Sequence, residues 1–117
     1  MKSSDAVQSL GALAQASRLE IFRLLVKRGP EGYTPSDLIQ KLDIPAPTLS
    51  FHLKELQQAR LVESRRDGRF LYYRADFDRM NGLVAFLTEN CCSLGEAACE
   101  PACAPAASSR IQQRKRA

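Results

Sequence analysis

Long apolar runs are missing from this 117-residue chain. The longest are a few residues, as in Leu83-Val84-Ala85-Phe86-Leu87, far short of the roughly 20 that a membrane-spanning helix needs. The opening Met1-Lys2-Ser3-Ser4-Asp5 lacks the apolar core of a signal peptide, so a cytoplasmic protein without membrane association is expected. Histidine occurs once, at His52, and no Cys-x-x-Cys pair or phosphate-cradling glycine loop is present. Cys103 and Arg110 are one residue too far apart for a Cys-x5-Arg phosphate loop. These absences argue against an enzyme. No internal repeat exists, and the length suits one compact domain.

What is present begins with charge. Seventeen Lys and Arg against thirteen Asp and Glu give a net +4, which permits nucleic-acid binding without requiring it. A first helix is expected from about Asp5 to Leu13, with Val7, Leu10 and Leu13 on one stripe. Ser17-Arg18-Leu19-Glu20 reads as a capping box opening a second helix, which Gly29-Pro30 ends. Thr34-Pro35-Ser36-Asp37 starts a short third helix, with Thr34 as cap and Pro35 at the first helical position. Two prolines in Ile44-Pro45-Ala46-Pro47 force a turn before a fourth helix running to about Ala59.

The pattern then alternates. Strands on either side of Asp67-Gly68 predict a hairpin with a type I′ turn. Asp76 caps a last helix over about Phe77 to Glu89. Residues 1–90 therefore form the folded part and 91–117 a separate segment ending in the basic Arg114-Lys115-Arg116. The expected fold is mainly α with a β-hairpin wing, a winged helix-turn-helix.

On the fourth helix Leu49, Leu53 and Leu56 form the buried stripe at roughly 100° per residue. Pro47, Ser50, Phe51 and Lys54 fall on the far side, with Thr48 beside them. A hydroxyl, a cation and an aromatic ring suit base edges, phosphate and a thymine methyl, although such a face also suits an ordinary solvated helix. His52 lies at the edge of the stripe, where a structural hydrogen bond is the expected role. Arg65, Arg66, Arg69 and Arg74 fall within ten residues of the hairpin. Its tip can reach the minor groove or backbone, or act as a charged edge that blocks aggregation.

The segments Ala16 to Ile21, Pro47 to Leu56, Ala59-Arg60-Leu61-Val62 and Asp67 to Tyr73 together resemble the ArsR/SmtB family of metal-sensing repressors over about Val7 to Thr88. The resemblance implies a homodimer joined through the first and last helices. It also implies an apo form that binds near-palindromic, double-stranded operator DNA and is weakened by its effector. No further cofactor is implied. Two departures stand out. Ala46-Pro47 replaces a Gln-Ser common in relatives, and Arg60 replaces a glycine that suits a left-handed helix cap.

The effector ligands must come from elsewhere than the family's familiar sites. No cysteine lies around Thr34 to Leu38, and no histidine between Asp76 and Glu89. All four cysteines (Cys91, Cys92, Cys99, Cys103) fall within thirteen residues. Reduced cytosolic thiolates select soft ions. The Glu89-Asn90-Cys91-Cys92 stretch resembles arsenic repressors with a C-terminal site, some of which prefer methylated arsenicals. This implies Cys91, Cys92 and Cys99 as ligands for As(III), methyl-As(III) or Sb(III), with Cys103 as spare. A thiol redox switch, zinc or cadmium sensing, an arsenic-handling thiol enzyme or metallochaperone, and an idle tail remain alternatives.

Overall fold

Short capping signals explain most of the helix boundaries in the computed structural model, which describes residues 1–95. Helix α1 spans Ser3–Leu13, starting two residues earlier than Asp5, whose carboxylate accepts the Lys2 N–H at 3.4 Å. Helix α2 spans Ala16–Arg28 and corrects the sequence reading of its cap. The extended residue is Gln15, whose Oε1 accepts the Arg18 N–H at 2.8 Å, so Ser17 already lies inside the first turn. The Ser17–Glu20 box is not formed, because a cap requires non-helical backbone that Ser17 does not adopt. Lys27 and Arg28 suit the negative end of the helix, and Gly29 ends it at φ 89°.

Helix α3 (Pro35–Leu42) begins as its sequence predicts. Thr34 Oγ1 accepts from Asp37 N at 3.2 Å, and Asp37 Oδ2 accepts from Thr34 N at 3.1 Å. Helix α4 spans Ala46–Gln58, with Pro45 as N-cap and Pro47 in the first turn, where a missing N–H costs nothing. Strands β1 (Val62–Asp67) and β2 (Phe70–Ala75) pair antiparallel, from Val62 opposite Ala75 to Asp67 opposite Phe70. The two loop residues are thus Gly68 and Arg69, one position later than expected. Only Gly68 has positive φ (64°), the pattern of a II′ turn rather than I′. Helix α5 covers Phe77–Thr88, with Asp76 Oδ1 accepting from Arg79 N at 3.0 Å.

Residues 1–84 make one compact unit; those from Ala85 onward belong to a second. In the first unit Ile21 and Leu25 of α2, Leu38 of α3, Leu49 and Leu56 of α4 and Leu61 are at most 1% exposed. Each such side chain contributes about 1.5–3 kcal/mol by leaving water. The core thus lies under the helix-turn-helix and seats its second helix. At the hairpin root, Tyr33 and Tyr73 exchange backbone hydrogen bonds of 2.9 and 2.8 Å, adding a short third strand. Gly32 permits this approach, since a Cβ there would stand 2.5 Å from the Tyr73 carbonyl oxygen. Among the described residues no helix is long and apolar enough to cross a membrane.

Candidate nucleic-acid interface

Helix α4 divides sharply between two faces. Leu49, His52, Leu53 and Leu56 are buried, while Pro47, Thr48, Ser50, Phe51 and Lys54 are exposed. Phe51 leaves 56% of its surface in water on this outward face. All five residues singled out on this helix therefore share one solvent-facing surface.

His52 fastens that helix from behind. Its Nδ1 lies 3.4 Å from Arg18 Nη1, and Arg18 Nε donates to the Ala12 carbonyl at 2.8 Å. Because a guanidinium only donates, Nδ1 acts as acceptor and the imidazole is neutral. Burial first, and the Arg18 charge second, hold the His52 pKa below its ordinary 6.5. His52 therefore ties α2 to α4, as its place at the stripe's edge suggests. Its Arg18 partner, 34 residues earlier, left no periodic signal in the sequence.

The end of α4 shows how Arg60 replaces a glycine. Arg60 sits at φ 64°; its N–H donates to Gln57 O at 2.9 Å, and the Leu61 N–H to Leu56 O at 3.0 Å. These two bonds form a Schellman cap, closed by the buried Leu56 and Leu61. The expected strain is therefore carried in a regular cap geometry, with a left-handed arginine that costs about 1–2 kcal/mol.

The hairpin wing separates its arginines by role. Arg65 lies opposite Tyr72 and Arg66 opposite Leu71, so these neighbours occupy opposite faces. Arg65 stacks over the Tyr72 ring at 5.3 Å, reaches Asp67 at 4.0 Å and donates to Glu31 O at 3.4 Å. Arg74 pairs with Glu63 at 2.6 Å. Arg66 and Arg69 are exposed and have no hydrogen bond or ion pair among the described residues. With Lys54 they supply cations open to phosphate. The separation follows from strand alternation, a signal the sequence already carried.

In the second unit Cys91 and Cys92 are exposed, and their Sγ atoms lie 3.5 Å apart. Asn90 (φ 57°) and Cys92 (φ 65°) are left-handed, so the chain turns twice around this pair. Turn bonds run from Cys91 N to Thr88 O, Ser93 N to Asn90 O, and Gly95 N to Cys92 O. Two sulfurs on one ion at about 2.3 Å each stand roughly 3.8 Å apart in tetrahedral geometry, so a single thiophilic ion can bridge this pair. Cys99 and Cys103 lie outside the described residues. Among the described residues no three His, Cys, Asp or Glu side chains gather as a metal site.

Comparisons with known proteins agree with this architecture. A family model described as a helix-turn-helix domain matches residues 13–65. The chain is 35% identical over 85 residues to the arsenical resistance operon repressor of Bacillus subtilis (strain 168), covering 73% of this chain and 77% of that one. It is also 35% identical over 78 residues to the HTH-type transcriptional regulator KmtR of Mycobacterium tuberculosis, covering 67% of this chain but only 58% of that relative. An ArsR-like transcriptional regulator from Rhodococcus sp. RHA1 superposes with a TM-score of 0.65 at 30% identity, covering 72% and 76% of the two chains. The homodimeric winged helix-turn-helix domain of a possible ArsR-family regulator from Mycobacterium bovis gives 0.58 at 26% identity, covering 82% and 89%. An outward recognition face, a basic wing and these relatives together make the chain a regulator rather than an enzyme, and it belongs to the ArsR family of winged helix-turn-helix transcriptional regulators.

Proposed function

We propose that the chain is a homodimeric repressor that binds operator DNA in its apo form and is released by trivalent arsenic. The observation that carries the DNA half is the exposed face of Thr48, Ser50, Phe51 and Lys54 beside the unpaired Arg66 and Arg69. In this reading α4 lies in the major groove, where Ser50 and Thr48 meet base edges and Lys54 meets phosphate. Arg66 and Arg69 neutralise the adjoining backbone, while Arg65 keeps the wing in place.

A second copy finds apolar surface on α1, where Val7 and Leu10 are 66% and 42% exposed. Val84 of α5 is 50% exposed. The M. bovis relative is homodimeric, which supports the same assembly here.

For the effector, the supporting observation is the adjacent Cys91–Cys92 pair, two soft donors within reach of one ion. Arsenite or methylarsenite takes these thiolates with loss of their protons, and Cys99 completes a three-sulfur set for the inorganic ion. Binding changes how the two α4 helices are paired across the dimer. DNA and effector then weaken each other by the same factor, with a coupling of about 1–3 kcal/mol.

The test is fluorescence anisotropy of the apo protein on a palindromic duplex from upstream of its own gene, titrated separately with arsenite, methylarsenite, zinc, cadmium and peroxide. Release by a trivalent arsenical alone, abolished in Cys91→Ser, is the expected result. Release by zinc, cadmium or peroxide instead would assign the thiols to those effectors. Arsenical release that survives Cys91→Ser would refute this site.

A further inference from the structure

Exposed apolar side chains in residues 1–84 fall into two sets. Aliphatic ones stand on α1, α2 and α5, whereas the aromatic ones, Phe51 and Phe70, stand on the recognition helix and the wing. Phe51 belongs to the base-reading face already described. Phe70 has no part in that reading or in the core: it is 58% exposed and sits opposite Asp67 at the far end of the hairpin.

Its setting is nevertheless ordered. Phe70 and Tyr72 share a strand face, with ring centroids 6.4 Å apart and planes tilted by 54°. The Tyr72 ring carries the Arg65 guanidinium at 5.3 Å, and Arg65 in turn reaches the Glu31 carbonyl. A chain of contacts therefore runs from the α2–α3 loop through Arg65 and Tyr72 to the Phe70 ring. Such backing reduces the freedom an exposed ring must surrender on binding. On either side stand Arg66 and Arg69, the two wing cations without partners among the described residues.

From this arrangement we infer that Phe70 is an apolar wedge that enters the minor groove of the operator and partly unstacks one base step. The inference rests on the repressor reading above. Arg66 and Arg69 draw the wing tip onto the phosphates that border the groove. The ring then meets base edges in a groove whose hydrogen-bonding pattern is degenerate. Wedging favours steps that unstack easily, namely TA and CA/TG, so the wing selects sequence by deformability at a position it does not read by hydrogen bonds. Phe70 is thus a specificity-determining residue, distinct from the arginines beside it.

The experiment uses duplexes selected in vitro on the wild-type full chain, each with 2-aminopurine at pyrimidine–purine steps flanking the half-sites. Binding is followed by anisotropy across a salt series for wild type, Phe70→Ala, Phe70→Leu and Arg69→Ala. Wild type should raise 2-aminopurine fluorescence at one flanking step, and Phe70→Ala should abolish that rise. Phe70→Ala should also lose about tenfold in affinity, within the range of a lost base–aromatic contact. Its salt slope should match wild type, whereas Arg69→Ala should lower the slope by about 0.9. Phe70→Leu, still apolar, should keep most of the affinity. Wild-type affinity in Phe70→Ala, or an affinity loss with no wild-type fluorescence rise, overturns the wedge while leaving the repressor intact. Failure of the wild type to select any duplex overturns the repressor reading and the wedge with it.

Discussion

Helix α4 and the wing present cations to the same kind of partner, yet the protein holds them very differently. Four buried side chains along one face, and the Arg18–His52 contact behind them, seat α4 on the core. In β1, by contrast, Val62 is buried and Glu63 half-buried, and residues 64–67 are exposed. Only the root is tied down, through the Tyr33–Tyr73 bridge, with Arg65 as a strut. Base readout demands side chains fixed to within fractions of an ångström, and a packed helix supplies that. Phosphate attraction tolerates looser placement, and a projecting hairpin suffices. The protein places its packing where discrimination is needed and its unpaired charge where reach is needed.

The strongest way to break this comparison is to empty the seat of α4. Leu53 is 3% exposed, and Leu53→Ala should cost about 3 kcal/mol through lost burial and the cavity left behind. A thermal melt should show a midpoint lowered by more than about 10 °C, with operator binding lost alongside the fold. Arg69→Ala on the wing should leave the melt within about 0.5 kcal/mol of wild type. Equal destabilisation by the two would dissolve the contrast.

A smaller effect is expected at the joint between the elements. Arg60→Gly removes the left-handed penalty but adds glycine's backbone entropy, for a net gain of about 0.5–1 kcal/mol. Urea denaturation should show a higher midpoint with an unchanged slope. Destabilisation would mean that the Arg60 side chain contributes more than its backbone costs.

The smallest effect is a pH dependence confined to the seated helix. Burial and Arg18 keep the folded-state pKa of His52 below 6.5. Above pH 6.5 the imidazole is neutral in both states, and the stability is fully present. As pH falls below 6.5 the unfolded chain takes up a proton that the folded chain refuses, so stability declines until the folded pKa is passed. His52→Gln should flatten this decline between pH 6.5 and the onset of carboxylate titration, as followed by urea midpoints.

What could be read from the sequence was mostly local. Thr34-Pro35-Ser36-Asp37 is a complete start signal, and Leu49, Leu53 and Leu56 repeat at helical spacing, so the helix-turn-helix and its outward face were legible. Ser17 and Glu20 misled because Gln15, two residues before Ser17, supplies an equally good acceptor once the chain extends there. The turn moved by one residue because a II′ turn needs positive φ only at Gly68 and leaves Arg69 unstrained. The Arg18–His52 tie and the Arg65–Glu31 contact each join residues 34 apart, and nothing local announces them. Cys91 and Cys92 were legible as a pair, while the third thiolate depends on residues beyond Gly95.

The anchored root makes the wing a lever. From Val62 to Asp67 the first strand runs for about 17 Å at ordinary strand rise. A 10° rotation at the root then sweeps the tip through about 3 Å, close to the spacing of successive base pairs. Adjustments near Tyr33 and Tyr73 too small to disturb the core therefore shift Arg69 and Phe70 by a whole step along the duplex, and the placement of Gly32 against Tyr73 becomes a setting of register.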